Sequence, residues 1–390
     1  MRRHSDNSNF GAVMRDRNAS LIGIIEGMRT FSAFLPIPVF SLYAFRYTNS
    51  GILAGIALGI YGIAMIFSQI FMGTLSDTIG RKNVSIISSI LFSIGNLISW
   101  HPMDIQILIF SRFLAGLGAI SSPLMALLNE RASPERRTAY MAFVGTFSGI
   151  GIVIGVIAGP ELSNSLGINA IFLISTVLGL VSILPIWLLC EGDPVINRHL
   201  RMRGDLPFTF SSFVSSFLLF AIFFFLPIYW SSGTRVISYG SFIILSLIPA
   251  GLIGIFISIR AGMRVRIATV TLILFAISAV SMFYFSGFLY SVMIGFFVFA
   301  IAYTIFEISF IPLLIRDQSG DYGSIIGFFN GGRYAGEFAG SLAMGTLFVN
   351  SRIFHGMHAL LLVIMLMIAF SILLLNVRYS KYGNVFNIHN

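Results

Sequence analysis

The chain has 390 residues, of which 56% are hydrophobic and only 10% carry a charge. A soluble domain of this length needs more polar surface than that, so the composition excludes a soluble globular protein and indicates a membrane protein with many spans. The formal net charge is +9, but the basic residues are spread over short loops, which argues against nucleic-acid binding and for membrane topology.

Twelve apolar runs, each long enough for a spanning helix of about 20 residues, follow one another along the chain. The polar, basic stretch before the first run has no small-residue cleavage site, so we expect a retained tail and not a signal peptide. The predicted spans are 20–42, 51–73, 84–101, 104–128, 138–160, 166–190, 207–231, 236–259, 265–286, 288–315, 322–349 and 354–377.

The basic residues fix a predicted orientation. Of the 24 Lys and Arg residues, only Arg46, Arg235 and Arg352 fall on one side of the membrane, and Arg29, Arg112 and Arg333 fall within spans. The others fall on the side that carries both termini, which predicts a multi-pass protein of the cell membrane with both termini cytoplasmic. The domains are then a tail (1–19), a six-helix bundle (20–190), a linker (191–206), a second bundle (207–378) and a tail (379–390).

Several features recur between the two halves, which predicts an internal duplication. Glycines at every fourth position form a ladder in span five (Gly151, Gly155, Gly159) that recurs in span eleven (Gly332, Gly336, Gly340). "FLPI" occurs at 34–37 and again at 225–228, and Gly73 has a counterpart at Gly254. Small-residue ladders are common in membrane helices, but two at the same offset favour duplication.

A short stretch of mixed charge follows span two. "GTLSDTIGRK" contains Gly73, Asp77, Gly80, Arg81 and Lys82. Gly73 allows the helix end to pack close to a neighbour, and Gly80 permits a tight turn. Asp77 can accept hydrogen bonds from a facing helix N-terminus or pair with an arginine.

This stretch resembles the loop signature G-x-x-x-D-[R/K]-x-G-[R/K]-[R/K] of the major facilitator superfamily, with Thr78 at a position that is usually basic. "LIFSRFLAGLGA" (108–119), which contains Arg112, is similar to the span-four pattern R-x-x-x-G-x-G. "GVIAGPEL" (155–162) is similar to the start of the span-five pattern of drug:proton antiporters, and it adds Pro160 to the glycine ladder. Ser163 and Asn164 replace the glycine pair expected next.

The resemblance implies an all-α polytopic membrane protein, with twelve transmembrane helices in two six-helix bundles around a central cavity. It further implies alternating access, in which the stretch from Gly73 to Lys82 acts as a gate on the cytoplasmic side. The second-half counterpart has Ser258 where the acidic residue would fall, so we expect any second gate to be weaker.

Six ionisable residues lie within the predicted spans, near the middle depth: Glu26, Arg29, Arg112, Glu307, Arg333 and Glu337. Such residues are expensive in a membrane and by default face a cavity or pair with one another. Glu26 and Arg29 are three apart and Arg333 and Glu337 four apart, so each pair shares a helix face and can pair locally. Arg112 and Glu307 have no local partner and must find one across the cavity, or in the substrate.

We expect Glu26 or Glu307 to carry a coupling proton, with Arg112 tuning the site. The candidate substrate-binding residues are Arg29, Arg112, Glu307, Arg333 and Glu337, since an arginine offers a planar fork suited to carboxylate or phosphate. Aromatic residues such as Tyr61 and Tyr303 are further candidates to line a pocket. Self-neutralising ion pairs that only hold helices together are the structural alternative.

Two transport functions stay open from the sequence. The first is a proton-coupled antiporter that exports a drug or metabolite, and the second is a proton symporter of a small anionic or zwitterionic solute. We expect a monomer that meets only its substrate, protons and the lipid bilayer, with no nucleic acid, no metal and no cofactor beyond the proton gradient. The sequence shows neither a nucleophile with its base nor a phosphate-binding loop, so we expect no enzyme.

Overall fold

The computed structural model describes residue 13 and residues 16–131, 137–190, 204–231, 237–261, 266–316, 322–348 and 357–386. All regular secondary structure in these ranges is helical. Most of the predicted N-terminal tail, most of the predicted linker and the last residues of the C-terminal tail lie outside them.

In the described part of the first half, nine α-helical segments correspond to the six predicted spans. They are α1 (Arg17–Phe34), α2 (Phe40–Ala44), α3 (Gly51–Ile79), α4 (Arg81–Trp100), α5 (Ile105–Leu117), α6 (Ser121–Arg131), α7 (Arg137–Leu166), α8 (Ile168–Val181) and α9 (Ile183–Trp187). Span one is interrupted by a short 3-10 turn, Ile37–Val39, where Pro36 and Pro38 remove backbone donors. Pro160 does not end its helix, because α7 continues to Leu166.

The described residues of the second half form six α-helices, one for each predicted span. They are α10 (Leu206–Ser231), α11 (Tyr239–Ala261), α12 (Arg266–Ala279), α13 (Leu289–Arg316), α14 (Tyr322–Leu347) and α15 (Met357–Phe386), and a π-helical turn, Val280–Tyr284, extends α12. Within the described ranges, eleven helical spans are long and apolar enough to cross a membrane. The predicted eleventh span, α14, is not one of them, because it is rich in glycine and carries Arg333 and Glu337.

The chain divides into two compact units. The first comprises residues 1–49, 56–198 and 226–228, and the second comprises residues 50–55, 199–225 and 229–390. In the first unit, Ile22 and Ile25 of α1 pack with Leu124 of α6 and Val144 of α7 in a buried apolar cluster. In the second unit, α10 is the most enclosed of the candidate membrane spans, with 94% of an 18-residue apolar stretch buried.

The glycine ladders pack one helix of each unit directly against the backbone of another. A Cβ added at Gly151, Gly155 or Gly159 of α7 would meet the carbonyl oxygen of Gly27, Phe31 or Leu35 in or at the end of α1. A Cβ added at Gly332, Gly336 or Gly340 of α14 would meet the carbonyl oxygen of Thr209, Phe213 or Phe217 in α10. Backbones approach this closely only where side chains are absent, so the ladders are packing surfaces.

These contacts also correct one predicted landmark of the duplication. Leu35 and Phe217 occupy matching places opposite the last glycine of their ladders. The first "FLPI" stretch begins at Phe34, next to Leu35. The second begins at Phe225, about two helical turns after Phe217. The prediction that "FLPI" marks equivalent positions is therefore wrong, and the repeated helix packing is the better marker.

Polar contacts tie the first helix of each unit to its last. In the first unit, Asp16 caps α1, and the Asn18 side chain donates to the Cys190 carbonyl at 3.0 Å. In the second unit, Asp205 precedes α10 and pairs with Arg378 of α15 at 2.7 Å, with both side chains buried. In each unit, a polar contact therefore joins the beginning of the first helix to the end of the bundle's chain segment.

Candidate functional site

The motif between α3 and α4 is held by contacts within the motif itself. Gly80 has a φ of 94°, a left-handed conformation that favours glycine, and it caps α4. Arg81 pairs with Asp77 at 2.5 Å and also donates to the Ser76 hydroxyl. The prediction offered Asp77 two kinds of partner, a helix N-terminus or an arginine, and the structure shows it paired with an arginine, Arg81.

Gly73 lies where α3 meets α6, because a Cβ there would stand 2.8 Å from the Ser122 hydroxyl. The second unit repeats this contact, with Gly254 of α11 against Thr304 of α13. Ser258, which stands in place of the acidic residue, donates to the Gly254 carbonyl of its own helix at 2.8 Å. The helix packing of the motif is thus repeated, whereas Ser258 cannot supply the carboxylate of its ion pair, and the counterparts of Arg81 and Lys82 lie outside the described residues.

Three of the predicted site residues form a buried group in the first unit, which we call the first-unit cluster: Glu26, Arg29 and Arg112. Their exposed fractions are 3%, 6% and 1%. Glu26 accepts a hydrogen bond from the Ser121 hydroxyl at 3.1 Å through Oε2, while its Oε1 has no hydrogen-bond partner. No described residue lies within ion-pair distance of this carboxyl group, so the predicted local ion pair between Glu26 and Arg29 is absent.

The two arginines of this cluster are held mainly by aromatic faces. The Arg29 guanidinium lies 3.4 Å from the centroid of the Phe92 ring and donates through Nη2 to the Gly118 carbonyl at 2.5 Å. The Arg112 guanidinium lies 4.9 Å from the Tyr61 ring centroid and 5.2 Å from that of Phe40. Within the described ranges, the Nε and Nη1 atoms of both arginines have no hydrogen-bond partner.

The other three predicted residues form the second-unit cluster: Glu307 of α13, with Arg333 and Glu337 of α14. Arg333 Nη2 donates to Glu307 Oε1 at 2.6 Å. This corrects two predictions, because Arg333 does not pair with Glu337 one turn away, and Glu307 has its partner within its own unit. Glu337 is 6% exposed, and Arg333 also lies 5.9 Å from the Phe329 ring centroid.

Four contributors to the clusters were not among the predicted site residues. Ser121 and the Gly118 carbonyl flank the break between α5 and α6, and Phe92 and Phe40 supply aromatic faces. The glycine-rich "AGLGAISS" could have indicated an interrupted helix with free backbone groups. Nothing in the sequence distinguishes Phe40 and Phe92 from the other phenylalanines, of which the chain has 39 in all. In the described ranges, no group of three His, Cys, Asp or Glu side chains is placed to hold a metal ion.

Residues 22–341 match the family model described as Major Facilitator Superfamily. An uncharacterized transporter of Buchnera aphidicola subsp. Baizongia pistaciae is 38% identical over 174 residues, which is 44% of each chain. The inner membrane transport protein YajR of Escherichia coli (strain K12) is 35% identical over 184 residues, 46% of this chain and 40% of YajR. Multidrug resistance protein 2 of Bacillus subtilis (strain 168) is 27% identical over 185 residues, 46% of each chain.

Each match covers less than half of the relative's length, but the solved structures extend the likeness to the whole fold. The POT family transporter PepTSo has a TM-score of 0.69 at 12% identity, covering 96% of this chain and 99% of its own. The human organic anion transporter MFSD10 has a TM-score of 0.64 at 14% identity, covering 90% and 99%. These findings confirm the predicted all-α fold of membrane-spanning helices, and the family model spans well over half of the sequence. The chain therefore belongs to the Major Facilitator Superfamily, a family of membrane transporters.

Proposed function

We propose that this protein is a proton-coupled secondary active transporter of a small organic solute, working by alternating access, and that Glu26 carries the coupling proton. The observation that carries the proposal is the Glu26 carboxyl group, which is buried within a membrane span without an ion-pair partner among the described residues. Taking a charged carboxylate out of water is costly, so a carboxyl in this setting is the kind of group that binds and releases a proton.

The contrast with Glu307 supports this choice between the two candidates. Glu307 is paired with Arg333 at 2.6 Å, so its carboxyl group already has a positively charged partner. Among the described residues, the hydrogen-bond partner of the Glu26 carboxyl is the Ser121 hydroxyl, which can also accept a hydrogen bond from the protonated form. We assign Glu307 and Arg333 to an ion pair. A substrate must either displace this ion pair or bind next to it.

The setting of the transporter is part of the proposal. The one-sided distribution of basic residues supports a place in the cell membrane with both termini in the cytoplasm. In that orientation the motif with Asp77 and Arg81 faces the cytoplasm, where it would gate that side. The protein would work as a monomer and need no cofactor beyond the proton gradient.

Export of a drug or metabolite in exchange for protons is the first mode. The name of the Bacillus relative, multidrug resistance protein 2, and the partial antiporter signature around Pro160 support it. Cotransport of a proton with an anionic or zwitterionic solute is the second mode, and one specific observation favours it. The first-unit cluster contains two arginines and one glutamate, so it carries a net positive charge that would attract an anion.

The test uses purified protein in proteoliposomes and two panels of labelled compounds, lipophilic cations in one and organic carboxylates in the other. Accumulation driven by protons that leave the liposome indicates exchange, and accumulation driven by protons that enter indicates cotransport. We expect Glu26→Gln to abolish gradient-driven accumulation while exchange of labelled for unlabelled solute continues. Glu161→Gln, at an exposed position of α7, is the matched control. Gradient-driven accumulation that survives in Glu26→Gln would refute the assignment of the coupling proton to Glu26, and no gradient-driven accumulation of any compound by the wild-type protein would refute proton coupling.

A further inference from the structure

The two arginines of the first-unit cluster hold more hydrogen-bond donors than the surrounding protein uses. The Nε and Nη1 atoms of Arg29 and Arg112 are buried and have no acceptor among the residues that the structure describes. A buried donor that lacks an acceptor costs free energy, and for a charged group the cost is several-fold larger. Four such nitrogen atoms on two side chains need a compensating reason.

The way in which the guanidiniums are held leaves their edges available. The Arg29 guanidinium lies over the Phe92 ring and is anchored through one nitrogen, Nη2, to the Gly118 carbonyl. Arg112 lies near two rings, Tyr61 and Phe40. Ring contacts hold a guanidinium by its face and use none of its N–H groups, which point outward along the edge. Each arginine is therefore positioned like a binding group and not like a closed ion pair.

The two guanidiniums also belong to one neighbourhood. The Tyr61 side chain interacts electrostatically with both, and Glu26 interacts with Arg29. The Gly118 carbonyl, which accepts the hydrogen bond from Arg29, directly follows α5, and α5 is the helix that carries Arg112. The first-unit cluster thus contains two arginine side chains and one glutamate side chain.

We propose that the first-unit cluster binds the carboxylate group of an organic anion, with Arg29 and Arg112 donating through the N–H groups that the protein leaves without acceptors. A carboxylate matches the planar guanidinium fork, accepts several hydrogen bonds at once and supplies the missing negative charge. This inference rests on the proposed transport function, because a site this enclosed must open during a transport cycle for a ligand to enter.

The inference has a consequence for coupling. When Glu26 is protonated, the cluster carries two positive charges instead of one, so the carboxylate binds more tightly. Linkage is reciprocal, so the bound carboxylate favours the protonated form of Glu26 in return. Proton and anion therefore bind together, which selects cotransport over exchange as the mode of this site. Tyr61 is the other titratable side chain that acts on the arginines, and its ring lies 4.9 Å from the Arg112 guanidinium.

The test measures thermal unfolding of the detergent-solubilised full chain with sodium formate, acetate or benzoate, against sodium chloride at the same ionic strength. Benzamide is the uncharged counterpart of benzoate. We expect the carboxylates to raise the unfolding temperature above that in chloride and benzamide to have no effect. The rise should be lost in Arg29→Gln and Arg112→Gln and kept in Arg260→Gln, an exposed arginine at the end of α11.

A second measurement does not depend on the arginine variants being stable. Over a pH range in which benzoate stays ionised, the benzoate-induced rise should increase as the pH falls in the wild-type protein and be independent of pH in Glu26→Gln. Carboxylates no more stabilising than chloride for the wild type would overturn the inference, as would an effect that persists in both Arg29→Gln and Arg112→Gln. Because this assay needs no gradient, carboxylate binding without proton-driven transport would sink the proposed function alone, and proton-driven transport of cations without carboxylate binding would sink this inference alone.

Discussion

The close contact between α14 and α10 makes a quantitative prediction about Gly340. A Cβ at this position would stand 2.8 Å from the carbonyl carbon and the Cα of Phe217, and closer still to the carbonyl oxygen. Ordinary contact begins at 3.4 Å, so the two helices would have to separate by at least about 0.6 Å. The obstacle is backbone, which cannot rotate out of the way as a side chain can.

The same helix supplies a matched control. Gly331 also lies within α14, but a Cβ there meets nothing within 4 Å. Replacing a helical glycine by alanine gains up to about 1 kcal/mol where there is room. Overpacking costs about 1–3 kcal/mol, and contact with a rigid backbone takes the upper end. Gly340→Ala and Gly331→Ala should therefore differ by about 3 kcal/mol in the free energy of unfolding, although each replaces one glycine by one alanine.

The assay is the loss of the monodisperse peak in size-exclusion chromatography after heating in detergent. A difference of about 3 kcal/mol corresponds to at least about 5 °C in unfolding temperature for a unit of this size. We expect Gly331→Ala to unfold at or slightly above the wild-type temperature and Gly340→Ala clearly below it. Equal unfolding temperatures for the two variants would refute the idea that the ladder is a packing surface.

Three further predictions follow from the described contacts. Arg378→Ala leaves the buried Asp205 carboxylate without its ion pair and should cost about 3–5 kcal/mol, with part of the loss recovered in the double variant with Asp205→Asn, as measured by thermal unfolding. Gly80→Ala forces a φ of 94° on an alanine and should cost about 1–2 kcal/mol in the same assay. Asp77→Asn removes a partly exposed ion pair with Arg81 and should change stability by less than about 1 kcal/mol, whereas the transport rate in proteoliposomes should fall if the motif is a gate.

The helical architecture could be predicted from the sequence because its causes are local. Each span is an apolar run of sufficient length, and the described helices begin and end within a few residues of the predicted bounds in most cases. The interruptions at Pro36 and Pro38 follow from the chemistry of proline. Even α14, whose glycines and charges lower its hydropathy, could be placed because it repeats the ladder of span five.

The partners of the charged side chains could not be predicted, because they depend on which helices meet. The sequence spacing favoured Glu26 with Arg29 and Arg333 with Glu337, whereas the structure pairs Arg333 with Glu307 on another helix. An i,i+4 pair on a helix contributes only a few tenths of a kcal/mol, so a better-placed partner on a neighbouring helix readily replaces it. The ring contacts of Arg112 depend on tertiary packing in the same way.

The two units share their packing but not their charges. The glycine ladder of α7 lies against α1 as that of α14 lies against α10, and the contact of Gly73 with Ser122 recurs as Gly254 with Thr304. At the same offset as the ladders, however, Arg333 and Glu337 correspond to Ile152 and Val156, and Arg112 corresponds to Met293.

The repeat therefore preserves the surfaces that hold each bundle together, while the ionisable groups differ from one unit to the other. Charged residues within membrane spans are expensive, so packing alone does not explain why each unit carries a different set. The first unit holds two arginines and a carboxyl that has no ion-pair partner among the described residues, and the second holds an ion pair with a further buried carboxyl. On the proposals made above, the proton and the anion bind in the first unit, so Glu26, Arg29 and Arg112 are the residues whose substitution should change transport without changing the helix packing.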